Sequence, residues 1–343
     1  MALRRQGVKI NFTSSDGWKK KYKWFWGDIK GPHNRGLVTI FCTPQTWHFP
    51  KYGYSIMLTT IESKTIHPGA QHRASCFREL WVPCEFDKQV FNKHGFKNVH
   101  VIPEGIDPTF WNVEHLGIDD TFRFITLADW SFRKGVHTLI KAFYLAFKNE
   151  KDIKLLFLTR KAAHEGKKYT KEIMKEASEH VSDVGGNLNN IEFYTRILTD
   201  EQIRDYFRSA DCFVLPTLGE AWCLPAEEAM ACELPCILPK VGGHRYFASK
   251  KTGWLTSGRW GTMPESDVIF YNDQLFYHPD MRSLVRAMRY AYRHREECRK
   301  KGEYARKLVT TQVTWDNAAK IAVNRIQQIY SQGFIPERRG KWL

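Results

Sequence analysis

From Asp120 onward the chain repeats one unit, a short and almost wholly apolar run followed by an amphipathic stretch. Phe122–Leu127, Ile153–Thr159, Asn190–Tyr194, Asp211–Leu215 and Leu234–Leu238 read as strands. Between them, Gly135–Lys148, Tyr169–Val181, a helix opened by Thr199, and Pro225–Cys232 read as helices. In the first of these helices Val136, Leu139, Ile140, Phe143 and Phe147 share one face, the 3.6-residue spacing of a half-buried helix. Thr199 with Gln202 three residues later forms a capping box, and Ile203, Tyr206, Phe207 and Ala210 point inward behind it. A strand that does not alternate with polar residues is covered on both faces, which helices between parallel strands accomplish. In such sheets ligands sit beyond the carboxyl ends of the strands. The residues after Leu127, Thr159, Tyr194 and Leu215 are therefore where chemistry is expected.

The first third, to about Phe110, is less regular. Leu37–Cys42, Ser55–Thr60, Leu80–Pro83 and Asn98–Ile102 read as strands, with a helix over Glu85–His94 and a turn at Pro103-Glu104-Gly105. At 343 residues the chain has room for two domains. No apolar run approaches the ~18 residues that span a bilayer. Met1–Asn11 carries Arg4, Arg5 and Lys9 without an apolar core behind them, unlike a secretory signal. The expectation is a soluble, cytoplasmic protein. Its eight cysteines contain no Cys-x-x-Cys pair and lie mostly in apolar stretches, so buried free thiols are expected rather than a metal site.

The net charge of +15 is unevenly placed. Residues 1–35 hold nine Lys and Arg against Asp16 and Asp28, which predicts a polyanionic neighbour for residues 18–35, either membrane head groups or nucleic acid. Within them, Trp18-Lys19-Lys20-Lys21-Tyr22-Lys23-Trp24-Phe25-Trp26 interleaves rings and cations. That pattern suits base stacking with phosphate contact or a membrane interface. It suits equally an amphipathic helix whose rings enter the core.

After the Asp211–Leu215 strand comes Pro216-Thr217-Leu218-Gly219-Glu220-Ala221-Trp222-Cys223-Leu224-Pro225-Ala226-Glu227-Glu228. Physically this is a strand, a glycine turn and a helix with proline near its start. The N–H groups of Trp222, Cys223 and Leu224 lack intrahelical acceptors, and the positive end of the helix dipole suits a diphosphate. Glu220 and Glu228 could face one ligand from different heights.

A Glu, seven residues and a second Glu, with Leu-Pro between and Ala-Met-Ala after, resemble the donor-site motif of glycosyltransferase family 4. Arg133-Lys134-Gly135 resembles that family's phosphate-binding turn. Val82-Pro83 with Glu85-Phe86, the Val101–Asp107 stretch, Val241-Gly242-Gly243 and Thr252–Leu255 resemble its flanking segments, so the similarity runs from about residue 78 to 258 and weakens toward Trp315. The resemblance implies a GT-B fold of class α/β: two Rossmann-like parallel-sheet lobes with a cleft between them. The N-lobe, 1–110, is reduced. The C-lobe covers 111–315, and a C-terminal crossover helix within 316–343 returns to the N-lobe. It further implies a retaining, metal-independent hexosyltransferase with no cofactor beyond its substrate, a UDP- or GDP-linked sugar. Glu220 would act on the donor sugar and Glu228 on the ribose. Arg133 and Lys134, with Gly219 and the N–H groups of Trp222, Cys223 and Leu224, would hold the diphosphate. From the N-terminal half, Gly17, Glu62 and His67 are the acceptor-side or catalytic candidates.

Plainer readings compete. Glu220 and Glu228 could be ordinary helix-flanking carboxylates, Lys134 a solvated helix-start lysine and His67 a surface or core histidine. A two-carboxylate glycoside hydrolase leaves Arg133, Lys134 and the helix start without a job. The acceptor could be a glycan or lipid-linked glycan at a membrane surface, or hydroxylated bases of nucleic acid. A degenerate, non-catalytic sugar-binding module is the third possibility.

Overall fold

The computed structural model describes residues 2–6, 38–42, 54–117, 119–160, 167–264 and 271–332. Gly17, the Trp18–Trp26 segment and the rest of residues 18–35 lie outside them.

In chain order the N-terminal half contains α1 (Ala2–Arg5), β1 (Val38–Cys42), β2 (Tyr54–Leu58), α2 (Pro68–Ala74), β3 (Glu79–Val82), α3 (Glu85–Lys93), β4 (Val99–Val101) and α4 (Pro108–Trp111). Its four strands form a parallel sheet in the order β1-β2-β3-β4. Met57, Leu80, Val82 and Val99 pack toward the α2 and α3 side, while Tyr54, Ile56 and Trp81 point the other way.

The second half begins with β5 (Phe122–Asp129), α5 (Val136–Phe147), β6 (Ile153–Arg160), α6 (Lys167–Ser182), β7 (Ile191–Tyr194), α7 (Asp200–Arg208), β8 (Cys212–Val214), α8 (Leu224–Ala231) and β9 (Cys236–Pro239). The alternation read from the sequence is present, with boundaries shifted by a residue or two. Thr199 and Gln202 form the expected capping box. Then come β10 (Gly253–Thr256), β11 (Gly258–Gly261), β12 (Phe276–Pro279), α9 (Met281–Arg293), α10 (Arg295–Gln312) and α11 (Trp315–Ser331). The antiparallel β11–β12 pair was not assigned from the sequence.

The larger sheet has six parallel strands in the order β10-β9-β8-β5-β6-β7. Consecutive residues serve opposite cores. Ile125, Leu156, Leu158, Phe213 and Leu238 pack with α8 and α10 residues, whereas Phe124, Leu155, Phe157, Val214 and Ile237 pack with α5, α6 and α9 residues. This two-sided burial is why the strands read as unbroken apolar runs. Winding proceeds from β5 outward to β7, then reverses through β8 to β10. The carboxyl ends of β5 and β8 are therefore neighbours at the point of reversal, where doubly wound sheets bind ligands.

Helix α11 packs Ala322 and Ile329 on Tyr54, Ile56 and Trp81 of the N-terminal sheet. The seven cysteines whose side chains are described are free, and six are buried. Among the described residues no helix is long and apolar enough to cross a membrane.

Candidate functional site

The loops after β5 and β8 are laced together at the reversal point. Leu218 N–H donates to the Arg133 carbonyl at 2.7 Å, and Thr217 Oγ1 reaches the same carbonyl at 3.1 Å. This approach needs glycine at two positions. A Cβ on Gly135, which has φ of +70°, would lie 2.0 Å from the Pro216 carbonyl oxygen. One on Gly219 would lie 2.0 Å from the Glu62 carbonyl oxygen, which belongs to the segment following β2. Gly219 thus lets the N-terminal half touch the β8 loop directly.

Four charged side chains meet there. Lys134 Nζ donates to Glu220 Oε1 at 2.6 Å. Arg133 Nη1 lies 2.6 Å from the Gly219 carbonyl oxygen, 3.0 Å from Glu62 Oε1 and 3.5 Å from Glu220 Oε1. Thr217 Oγ1 stands 3.1 Å from Glu220 Oε1, and the Tyr271 hydroxyl donates to Glu62 Oε2. Burial alone raises the Glu220 carboxyl, but Lys134 and then Arg133 outweigh it and hold the acid below its ordinary range. Glu220 is therefore ionised at neutral pH, with its negative charge fixed beside two cations.

Below this cluster, α8 begins at Leu224, one residue before the proline. Its N-cap, Cys223, sits in the left-handed region with φ of +83°. A non-glycine residue there costs about 1 kcal/mol. The conformation turns the chain so that α8 presents its amino end to the loops. Among the described residues the N–H groups of Trp222, Cys223 and Leu224 have no acceptor, as an anion site requires. The Trp222 ring is buried against Phe247 and Tyr246, and Leu224 is exposed.

Glu228 lies one turn into α8, partly buried, its carboxyl pushed up to about 7 by burial and then by Asp200. The structure thus brings Arg133, Lys134, Gly219, Glu220 and Glu62 together, with Trp222–Leu224 and Glu228 on the adjoining helix start. His67 is placed elsewhere, as the N-cap of α2, with Nδ1 accepting from Gly69 N–H at 3.1 Å. Gly17 is outside the described residues.

Further groups at the site were not singled out from the sequence. Glu104, in the turn after β4, is pushed up to about 7 by burial and then by the Glu220 charge. It follows the carboxyl end of the parallel strand β4, the kind of position where such sheets place ligands. Glu227 is fully buried, with Oε2 accepting from Trp222 Nε1 at 2.7 Å. His244 is fully buried too, its Nε2 2.6 Å from the Pro239 carbonyl, and burial pushes it down to about 4, leaving a neutral imidazole. Tyr271 had no local signal, because its contact with Glu62 spans 209 positions of chain.

Residues 111–260 match the family model described as glycosyl transferases group 1. A D-inositol 3-phosphate glycosyltransferase of Arthrobacter sp. (strain FB24) is 26% identical over 172 residues, which is 48% of this chain and 39% of that protein. The match therefore spans well under half the length of the relative. Sucrose-phosphate synthase from Thermosynechococcus elongatus superposes with a TM-score of 0.63 at 15% identity, covering 95% of this chain and 82% of that one. The Anabaena Alr3699/HepE protein, solved in complex with UDP and glucose, superposes with a TM-score of 0.60 at 14% identity, covering 81% and 71% of the two chains. The fold is that of the GT-B glycosyltransferases.

Proposed function

We propose that the protein is a retaining glycosyltransferase that moves a hexose from a nucleoside-diphosphate sugar to an acceptor hydroxyl. One observation carries this reading: the ion pair of Lys134 with Glu220 stands at the reversal point of the sheet, beside a helix start whose N–H groups have no acceptor among the described residues. Such a place holds an anion and a neutral polyol together.

In the proposed reaction the bond from the anomeric carbon to the diphosphate oxygen breaks, and negative charge develops on the leaving group. Arg133, Lys134 and the N–H groups of Trp222, Cys223 and Leu224 stabilise that charge, which is the largest contribution such a site makes. The acceptor oxygen forms the new bond on the face the diphosphate vacates, and its proton passes to the departing phosphate oxygen. Glu220 orients the donor sugar's hydroxyls and opposes the positive charge that builds on the ring. Glu228 accepts hydrogen bonds from the ribose hydroxyls. These residues supply the cationic assistance themselves, so the reaction is proposed to proceed without a metal. UDP, the nucleotide of the Anabaena complexes, is the first donor nucleotide to test, with GDP second. A glycan or lipid-linked glycan is the proposed acceptor, reached through the basic residues 18–35 at an anionic surface.

Glu220→Ala and Lys134→Ala are each expected to lower turnover by at least ~100-fold, the scale of losing one preorganised electrostatic contact. Near-normal turnover in either variant, measured as transfer or as donor hydrolysis, removes the role assigned to that residue.

A further inference from the structure

Arg133 and Lys134 face two carboxylates, and the carboxylates differ in origin. Glu220 belongs to the β8 loop, so its pairing is internal to the larger sheet's own lobe. Glu62 is delivered from the N-terminal half, on the segment that follows β2. That segment is held from both sides. From its own half, Asp87 Oδ2 accepts the Ile61 N–H at 3.0 Å. From the other half, the Lys64 N–H donates to the Leu275 carbonyl at 2.7 Å, and Leu275 N–H donates to Thr65 Oγ1 at 3.1 Å. Lys64 Nζ lies 5.1 Å from the centroid of the Trp260 ring, and the Tyr271 hydroxyl binds Glu62 itself. The arm bearing β11 and β12 therefore grips the loop that carries Glu62.

The Arg133 and Glu62 side chains are only 15% and 21% exposed. A guanidinium so withdrawn from water needs an anion, because a poorly solvated charge without a partner costs several kcal/mol. With Glu62 and Glu220 present, the two cations are already neutralised. A diphosphate arriving at Arg133 would meet cations already paired with carboxylates.

We infer that Glu62 is an internal stand-in for the donor's phosphate: it occupies Arg133 in the unliganded molecule and gives way when a diphosphate arrives. The inference rests on the donor-site reading above. Donor affinity is then lowered by the fraction of molecules in which Glu62 holds its place. Each binding event also loosens the Ile61–Thr65 loop from the β11–β12 arm.

The test titrates UDP, GDP and inorganic pyrophosphate into the full chain, into Glu62→Gln and into Tyr271→Phe. Affinity is read by calorimetry and rate by stopped-flow tryptophan fluorescence. Glu62→Gln is expected to bind its best ligand about tenfold more tightly. Tyr271→Phe, which removes one anchor of Glu62, should shift affinity the same way by about two- to threefold. The observed rate should saturate with ligand concentration in the unmodified protein, limited by departure of Glu62, and rise linearly in Glu62→Gln. Thermal melts establish that both variants fold, and if Glu62→Gln does not, the Tyr271→Phe affinity decides. Equal or weaker binding by Glu62→Gln, with binding by the unmodified protein intact, overturns the stand-in and leaves the donor site standing. Tighter binding with linear rates in both proteins also overturns it, since plain charge repulsion then suffices. Binding of no probe by any of the three proteins overturns both readings.

Discussion

Glu227 shows how a single buried carboxyl makes stability depend on pH. One oxygen accepts from Trp222, and the other has no partner among the described residues. Burial pushes the acid up to about 8 from an ordinary value of 4.5, with Glu104 and Glu228 adding to the shift and the Trp222 hydrogen bond opposing it. The folded state therefore holds the proton more tightly than the unfolded chain. Its contribution is complete below about pH 4.5 and is lost as pH rises through about 8. Glu227→Gln keeps an acceptor for the indole and cannot ionise. The variant should melt with the unmodified protein at pH 5 and be more stable by about 2–4 kcal/mol at pH 9. Melting curves that stay parallel across that range would show that Glu227 does not titrate as described. Gly219→Ala tests close approach at the same scale. Its Cβ would meet the Glu62 carbonyl at 2.0 Å, a backbone atom that cannot swing aside. A loss of about 1–3 kcal/mol in urea unfolding is expected, and an unchanged midpoint would mean the two loops part freely.

Among the elements, α11 has the most consequential attachment. Its Arg325 reaches Glu79 through Nη2 at 2.8 Å and Nε at 3.1 Å, beneath a sheet where Glu79 is 1% exposed. Tyr54 and Trp81 donate to the same carboxylate. Burial raises the Glu79 acid, but the hydrogen bonds from Arg325, Trp81 and Tyr54 outweigh it and hold it below 4.5. The stability this group supplies is thus present at neutral pH and lost in acid. Arg325→Met leaves a buried carboxylate without its cation and should cost about 3–5 kcal/mol in chemical denaturation. Adding Glu79→Gln to that variant should recover part of the loss, because the uncompensated charge is then gone. Equal destabilisation in both backgrounds would mean that packing of Ala322 and Ile329, rather than the ion pair, attaches the helix.

At the scale of the molecule, the donor reading predicts linkage between ligand and unfolding. A ligand that binds only the folded chain stabilises it by about 2.7 kcal/mol at a hundred times its dissociation constant. A screen of UDP- and GDP-linked sugars should therefore find at least one that raises the melting temperature by several degrees, and the rise should vanish in Lys134→Ala. A melting temperature indifferent to every nucleotide sugar would leave the site between the two halves without its proposed ligand.

The alternation of apolar runs and amphipathic stretches was sufficient to predict a doubly covered parallel sheet and to direct attention to the loops after Leu127 and Leu215. Burial on both faces is written into strand composition, and a helix start with proline and glycine signals is local. Gly219 and Glu220 could be nominated for that reason, whereas Arg133 and Lys134 were nominated through the resemblance of Arg133-Lys134-Gly135 to a phosphate-binding turn. The strand order that makes the β5 and β8 loops neighbours was not legible, since periodicity says which face is buried and nothing about which strand lies beside which. Glu62 could be nominated but not assigned a partner, and Tyr271 and the β11–β12 arm could not be nominated at all. Their contacts join residues some two hundred positions apart. His67 is the N-cap of α2, and a histidine before Pro-Gly reads alike whether it caps a helix or serves a ligand. The sequence on its own determined the alternation of strands and helices from Phe122 to Leu238 and which of the loops between them carry charge, because those properties follow from neighbours within a few residues. Only the tertiary structure decided which charges meet, because an ion pair is made by the folding of the chain back on itself.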